Sequence, residues 1–360
     1  IALLGSSSAF VESTLAQLFK VKGKHSYVGG PAYYMERGLK KRWMGVLFAV
    51  LITVTFGLAF NSVQSNTMSA ALQSAFSIEP LNSGIVISVL TLVIIFGGVH
   101  RIAAISSVIV PVMAVGYIAL ALFVVLANID RIPAVVEQIV GNAFGWHQAV
   151  GGGIGTALMQ RGLFSNEAGM GSAPNAAATA HVTHPAKQGF IQALGVFTDT
   201  LLICSCTAFI ILFGEDYVGS GLDGIQLTQA ALTSEVGNIG GIYVAIATLF
   251  FAYSSILGNY YYGEANIRFF TSRQWPVVLY RMLVGGMVLF GSLASLNLVW
   301  NLADVTMALM SICNLIAISL LGKYAFRLLD DYLAQKRKGI KSPVFHKEQM
   351  KDIEQDLECW

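Results

Sequence analysis

The chain has 360 residues, 55% of them hydrophobic and only 12% charged, with a formal net charge of +2. Soluble domains carry about 25% charged residues, so this composition, with a mean hydropathy of +0.65, excludes an ordinary soluble globular protein and reads as an integral membrane protein. Four cysteines, Cys204, Cys206, Cys313 and Cys359, lie in apolar spans or the tail without metal-site spacing, which argues against a disulfide framework or a zinc site.

The chain opens on Ile1 rather than a methionine and shows no secretory signal, so it reads as a fragment that has lost its natural start. Residues 1–19 form a helical stretch just long enough to complete a span. Glu12 within it should face the bundle, because an acid is expensive at that depth. A basic connector, Lys20 to Arg42, encloses GGPAYYMERGL. The next helix starts near Trp43 and runs into NSVQSNTMSAAL, where Asn61, Gln64 and Asn66 interrupt an apolar face. Amides there either glue helices together or line a substrate path. Two further spans, about 84–98 and 105–127, meet at a turn with His100 and Arg101. The amphipathic segment from Asp130 to His147 suits a helix lying along the membrane interface.

The stretch from Gly151 to Ala180 is apolar yet interrupted by Arg161, Asn166, Glu167, several glycines and Pro174. It is too polar and too rich in glycine for a lipid-facing helix. Hydrocarbon offers no hydrogen-bond partners, so unwound backbone at membrane depth survives only inside protein or along a wet cavity. A broken helix is where transporters hold substrate, and residues 162–172 are the expected break; the bland alternative is a cytosolic glycine loop. The HVTH run with His181 and His184 lacks the glutamate of HExxH and is not read as a metal site.

Spans at about 189–213, 240–259, 277–297 and 303–322 complete the membrane part and carry Asp199, Ser254, Ser255, Glu264, Trp300 and Asp304. Glu12, Asp199, Trp300 and Asp304 are read as polar contacts between helices rather than ligands. Residues 1–322 thus form a transmembrane domain. Residues 323–360 form a polar cytoplasmic tail, helical or partly disordered. With about nine spans, nearly all Lys and Arg fall on alternate connectors, the opposite ones holding acids with Arg131 as the main basic exception. The positive-inside rule then places the basic set and the C-terminus in the cytoplasm.

GGPAYYMERGL at 29–39, VQSN at 63–66, RGLFSNEAGMGSAP at 161–174, QGFIQALGVFTDTLL at 188–202, SSILGNYYYGE at 254–264 and SLNLVWNLAD at 295–304 together resemble the sodium/alanine (alanine or glycine:cation) symporter family. The resemblance covers roughly 1–322. It implies a bacterial or archaeal inner-membrane carrier, all-α, with the LeuT-type architecture of two inverted five-helix repeats, this chain supplying the second to tenth spans and lacking the first broken helix. It also implies roles for particular residues. Phe164, Asn166, Glu167 and Gly169 match the partner broken helix, Gln64 a position facing the amino acid, and Ser254 and Ser255 a hydroxyl pair that ligates sodium. A hard cation wants such oxygen ligands. The chain departs from the family at Asn259, where a tryptophan is usual, and the change enlarges or polarises the pocket.

The function implied is sodium-coupled symport of a small neutral amino acid, alanine or glycine, with sodium, the amino acid and membrane lipid as partners and no nucleic acid. Two other readings stand beside it. One is a transport-inactive truncated relative or an amino-acid sensor. The other is an intramembrane enzyme, for which Glu167 with His181 would be the only acid–base pair.

Overall fold

The computed structural model describes residues 2–23, 26–97, 99–143, 165–214 and 221–360. These residues are helical almost throughout, with one antiparallel ribbon of β1 (Val21–Lys22) and β2 (Tyr27–Val28) in the basic connector. Helix α1 (Ala2–Leu18) is buried from Ala9 to its end, as expected of a helix with little polar face. It leads through the ribbon to the short α2 (Pro31–Arg37).

Helices α3 (Arg42–Val54) and α4 (Asn61–Phe76) form one continuous rod, widened between them by a π turn at Thr55–Phe60. Gly57 of that turn and Gly263 leave room for the Tyr280 ring, which a side chain at either position would meet. Helix α5 (Pro80–Phe96) follows, then α6 (Val99–Ala127), which contains Pro111. The chain bends by 75° after Ala127. The amphipathic segment beyond is helix α7 (Ile132–Ala143), and its expected end, 144–147, lies outside the described residues.

After the described chain resumes at Ser165 comes the five-residue α8 (Ala173–Ala177). Helix α9 (Pro185–Phe197), a second π turn (Thr198–Cys204) and α10 (Ser205–Phe213) make another continuous rod. Then come α11 (Ile225–Val236), α12 (Asn238–Phe270), α13 (Trp275–Leu293) and α14 (Leu296–Arg337).

Among the described residues five helices are long and apolar enough to cross a membrane: Arg42–Phe76, Pro185–Phe213, Asn238–Phe270, Trp275–Leu293 and Leu296–Arg337. The expected number, about nine, also included α1, α5, α6 and the broken stretch. A stripe on α14, with Val305, Leu309, Ile312, Ile316 and Leu320 exposed, is apolar surface that only lipid or another protein would cover.

The largest core cluster joins α1, α2, α3 and α14 with the chain on either side of α8. A second joins α6, α7, α10, α11 and α12. Helix α14 runs uninterrupted through Lys323, where the tail was expected to begin. At 1.5 Å per residue its 42 residues span about 63 Å, roughly twice the hydrocarbon core of a bilayer, so its last turns stand clear of any membrane it crosses.

The remaining tail is ordered rather than loose. Phe345, Met350, Ile353 and Leu357 are buried in the main core cluster. Glu358 pairs with Arg37 at 2.8 Å, Asp356 pairs with Lys40, and the Phe345 N–H donates to the Thr183 carbonyl at 2.9 Å. Phe269 lies against Tyr33 and Arg42. The basic connector, the approach to α9, the loop after α12 and the tail therefore share one end of the molecule. At other connectors Arg131, the basic exception, reaches Glu235 at 3.9 Å.

Candidate functional site

A helix cannot continue through residues 167–171, because three of those five residues have left-handed backbone. Glu167, Gly169 and Gly171 have φ of 50°, 83° and 85°. For Gly171 the requirement is also steric, since a Cβ there would stand 2.7 Å from the Phe48 ring and 2.8 Å from Pro31. Ala168 to Ser172 are all buried. The expected interruption is thus a break inside the protein, and the first part of it, residues 162–164, lies outside the described residues together with Arg161.

Four elements meet at the break through one hydrogen-bond network. The Gly169 N–H donates to Glu12 Oε1 at 3.2 Å, and Asn314 Nδ2 donates both to Glu12 Oε2 at 2.8 Å and to the Gly169 carbonyl at 2.9 Å. The Tyr34 hydroxyl donates to Asn314 Oδ1. Glu12, Tyr34 and Asn314 are fully buried. Just beyond, Asn175 Nδ2 donates to the Gly171 carbonyl at 2.9 Å, and Asn266 of α12 donates to Asn175 Oδ1 at 2.9 Å. Gln17 Nε2 donates to the carbonyls of Ala177 and Ala180 at 2.5 and 2.9 Å, tying α1 to the end of α8 and the chain just after it. Lys20 donates to Gln17 Oε1 at 2.8 Å at this end, where burial pulls its ammonium down to about 8 against the opposing pull of Cys359.

The residues singled out from the sequence fall into three groups. Asn166 accepts from the Thr200 hydroxyl, Glu167 accepts from the Ser172 hydroxyl at 2.7 Å, and Gly169 sits in the network. Phe164 lies outside the described residues. On α12, Ser254 and Ser255 turn their hydroxyls back to the Phe251 carbonyl at 2.8 and 3.1 Å. Asn259 is 4% exposed and its Nδ2 has no hydrogen-bond partner among the described residues. Ser255, Asn259, Tyr262 and Asn266, spaced four, three and four apart, occupy one face of that helix. Tyr262 stacks edge-on against Phe56 of the π turn at 5.4 Å, and Asn266 bonds Asn175, so this face is turned to the break and the π turn.

Gln64 is half-buried on α4. Its neighbours are helix glue: Ser65 donates to the Val288 carbonyl at 2.5 Å, and Asn66 donates to the Gly291 and Ala294 carbonyls at 3.0 and 2.7 Å. Thr55 Oγ1 and Asn61 Oδ1, in and just after the π turn, are buried without hydrogen-bond partners among the described residues. Such wide turns recur at functional sites. Tyr34 and Asn314 carry no mark of this network in the sequence, where Glu12 reads as a contact between helices. An acid in an apolar span was the one available signal for that network.

The site therefore offers a buried break and a neighbouring helix face with hydroxyls and a spare amide. Glu167 is bonded to Ser172 and His181 lies beside Tyr27. The family model described as the sodium:alanine symporter family matches residues 1–347. The chain belongs to that family. Similar proteins of Bacillus subtilis (strain 168) include one named "Probable sodium/glutamine symporter GlnT", 56% identical over 100% of this chain and 76% of that protein. Another is named "Amino-acid carrier protein AlsT", 53% identical over 100% of this chain and 77% of that protein. A Methanococcus maripaludis protein named "Sodium/alanine symporter AgcS" is 36% identical over 89% of this chain and 73% of that protein. The sodium:alanine symporter family, with the long apolar helices, makes this a multi-pass membrane protein of amino-acid and sodium transport.

Proposed function

We propose that the protein is a sodium-coupled carrier that brings a small neutral amino acid into the cell by alternating access, in an inner membrane with its C-terminal end cytoplasmic. The observation that carries this reading is the buried left-handed break at 167–171, which meets α1 and α14 directly and α12 through Asn175. A zwitterion cannot rest in dry hydrocarbon, so its two charges need fixed partners near the midplane. Broken-helix ends and freed backbone groups supply them. In this reading Asn166, Glu167, Gly169, Gln64 and Phe164 border the amino acid, while Ser254 and Ser255 give their hydroxyls to sodium in place of the Phe251 carbonyl. Bound sodium preorganises the amino-acid site, and linkage requires the amino acid to tighten sodium by the same factor. The LeuT-type inverted repeat is the architecture we assign to this motion.

Alanine and glycine are the cargo the family name suggests. A second cargo, glutamine, is favoured by Asn259, whose buried and unspent amide can donate to a side-chain carbonyl. Leaving such a group unpaired is costly, and the relative at 56% identity is named for glutamine. The test is uptake of labelled alanine, glycine and glutamine into proteoliposomes under an imposed sodium gradient. Accumulation that collapses when sodium is equal on both sides is expected, and uptake indifferent to sodium would contradict it. Ser255→Ala should raise the sodium half-saturation about tenfold, the effect of losing roughly 1.4 kcal/mol, with the fold intact by size-exclusion profile. Unchanged sodium affinity in that variant would remove the hydroxyl pair from the site.

A further inference from the structure

Glu12 is a fully buried carboxylate with no cationic partner among the described residues. The titratable groups that face it are Tyr34 from α2, Tyr262 from α12 and Glu167 from the break, none of which carries a positive charge. The polarity of the network around it is fixed. The Gly169 carbonyl can only accept, so the Asn314 amide nitrogen must face it and Glu12, which turns Asn314 Oδ1 to the Tyr34 hydroxyl that donates to it. The Gly169 N–H donates to the other carboxyl oxygen, and the Gly171 N–H is turned to the same group. Two N–H groups presented by alternating left-handed residues form a concavity that binds anions. Glu12 fills it, and each hydrogen bond it makes among the described residues, from Gly169, Gly171 and Asn314, is one it accepts. The surroundings suit an ionised carboxylate, yet a buried charge without a counter-charge is unfavourable.

Resting on the transport reading above, we propose that Glu12 is an anionic pole for the cation of the cargo. The sodium ion or the ammonium group of the amino acid neutralises it when bound at the break, and the carboxylate in turn holds Gly169 and Gly171 in the shape the site needs. Asn314 and Tyr34 are positioning residues, because they act through the carboxylate. Occupancy by the cation and the form of the break are thereby one equilibrium.

Glu12→Gln keeps the side-chain outline, removes the charge and replaces one acceptor by a donor. In proteoliposomes of the intact carrier it should raise the half-saturation constant of sodium or of the amino acid at least about fivefold, the lower end of ordinary coupling between sites, with Glu12→Asp in between. A shift confined to sodium assigns the cation to sodium, and a shift confined to the amino acid assigns it to the ammonium. Tyr34→Phe removes only the outermost hydroxyl and should move the same constant about twofold in the same direction. A role in folding alone would lower the amount of active protein and leave both constants in place. Wild-type constants in folded Glu12→Gln, or in Tyr34→Phe should Glu12→Gln not fold, overturn the proposal. Absence of sodium-driven uptake in the wild type would instead overturn the transport reading.

Discussion

Gly171 shows how little freedom the break has at single residues. Any side chain there meets Phe48, Pro31 and Asn314 at 2.7 to 3.0 Å while forced into a left-handed backbone. That backbone alone costs an L-residue about 1–2 kcal/mol. Gly171→Ala should therefore cut the maximal uptake rate about tenfold or more while the protein still inserts, and wild-type uptake would show that the break does not shape the site. Asn259→Trp should abolish competition by glutamine and leave that by alanine and glycine, read in a competition assay; an unaltered profile would remove Asn259 from the pocket. The glycines and Glu167 were legible in the sequence because polar and flexible residues are conspicuous against an apolar run. Tyr34 and Asn314 were not, since a tyrosine in a loop motif and one asparagine in a long helix look like ordinary packing until the fold brings them within 3 Å of each other.

At the scale of elements, one histidine among the tail's contacts makes its docking sensitive to pH. His184 is buried at the start of α9, accepting the Ala186 N–H on Nδ1 at 3.2 Å and meeting Asp331 of α14 through Nε2 at 3.1 Å. Phe345 and Tyr332 pack against its ring. Burial lowers its proton affinity more than Asp331 restores it. With the tail released, His184 takes up a proton near the ordinary value of about 6.5, whereas with the tail docked it resists, so docking is fully present above that pH and weakens as pH falls below it. Protease cleavage between Lys338 and Lys351 should accelerate from pH 7.5 to 5.5, and His184→Asn, which keeps a cap for α9, should flatten that dependence. A cleavage rate independent of pH in the wild type would contradict the role of the ring. The long helices were legible from apolar runs. The two π turns were not, because a wide turn has no compositional mark, and the tail's order was hidden because Phe345, Met350, Ile353 and Leu357 follow no regular period in a polar segment.

For the whole molecule, the basic connector, the approach to α9, the loop after α12 and the tail gather at one end, the end that the proposed carrier turns to the cytoplasm. Inward movement of one net positive charge is driven by about 2.3 kcal/mol per 100 mV. Sodium-driven uptake should therefore rise when the vesicle interior is made negative with a potassium diffusion potential, and indifference to the potential would mean that no net charge moves. The central claim is that cargo is held at the break. Hydrogen–deuterium exchange of the carrier, alone, with sodium, and with sodium plus amino acid, reads this directly at residues 165–172. We expect exchange there to slow with sodium and to slow further with the amino acid, together with the face of α12 around Ser255 and Asn259. Protection that appears elsewhere, with 165–172 exchanging identically in all three conditions, would contradict the account.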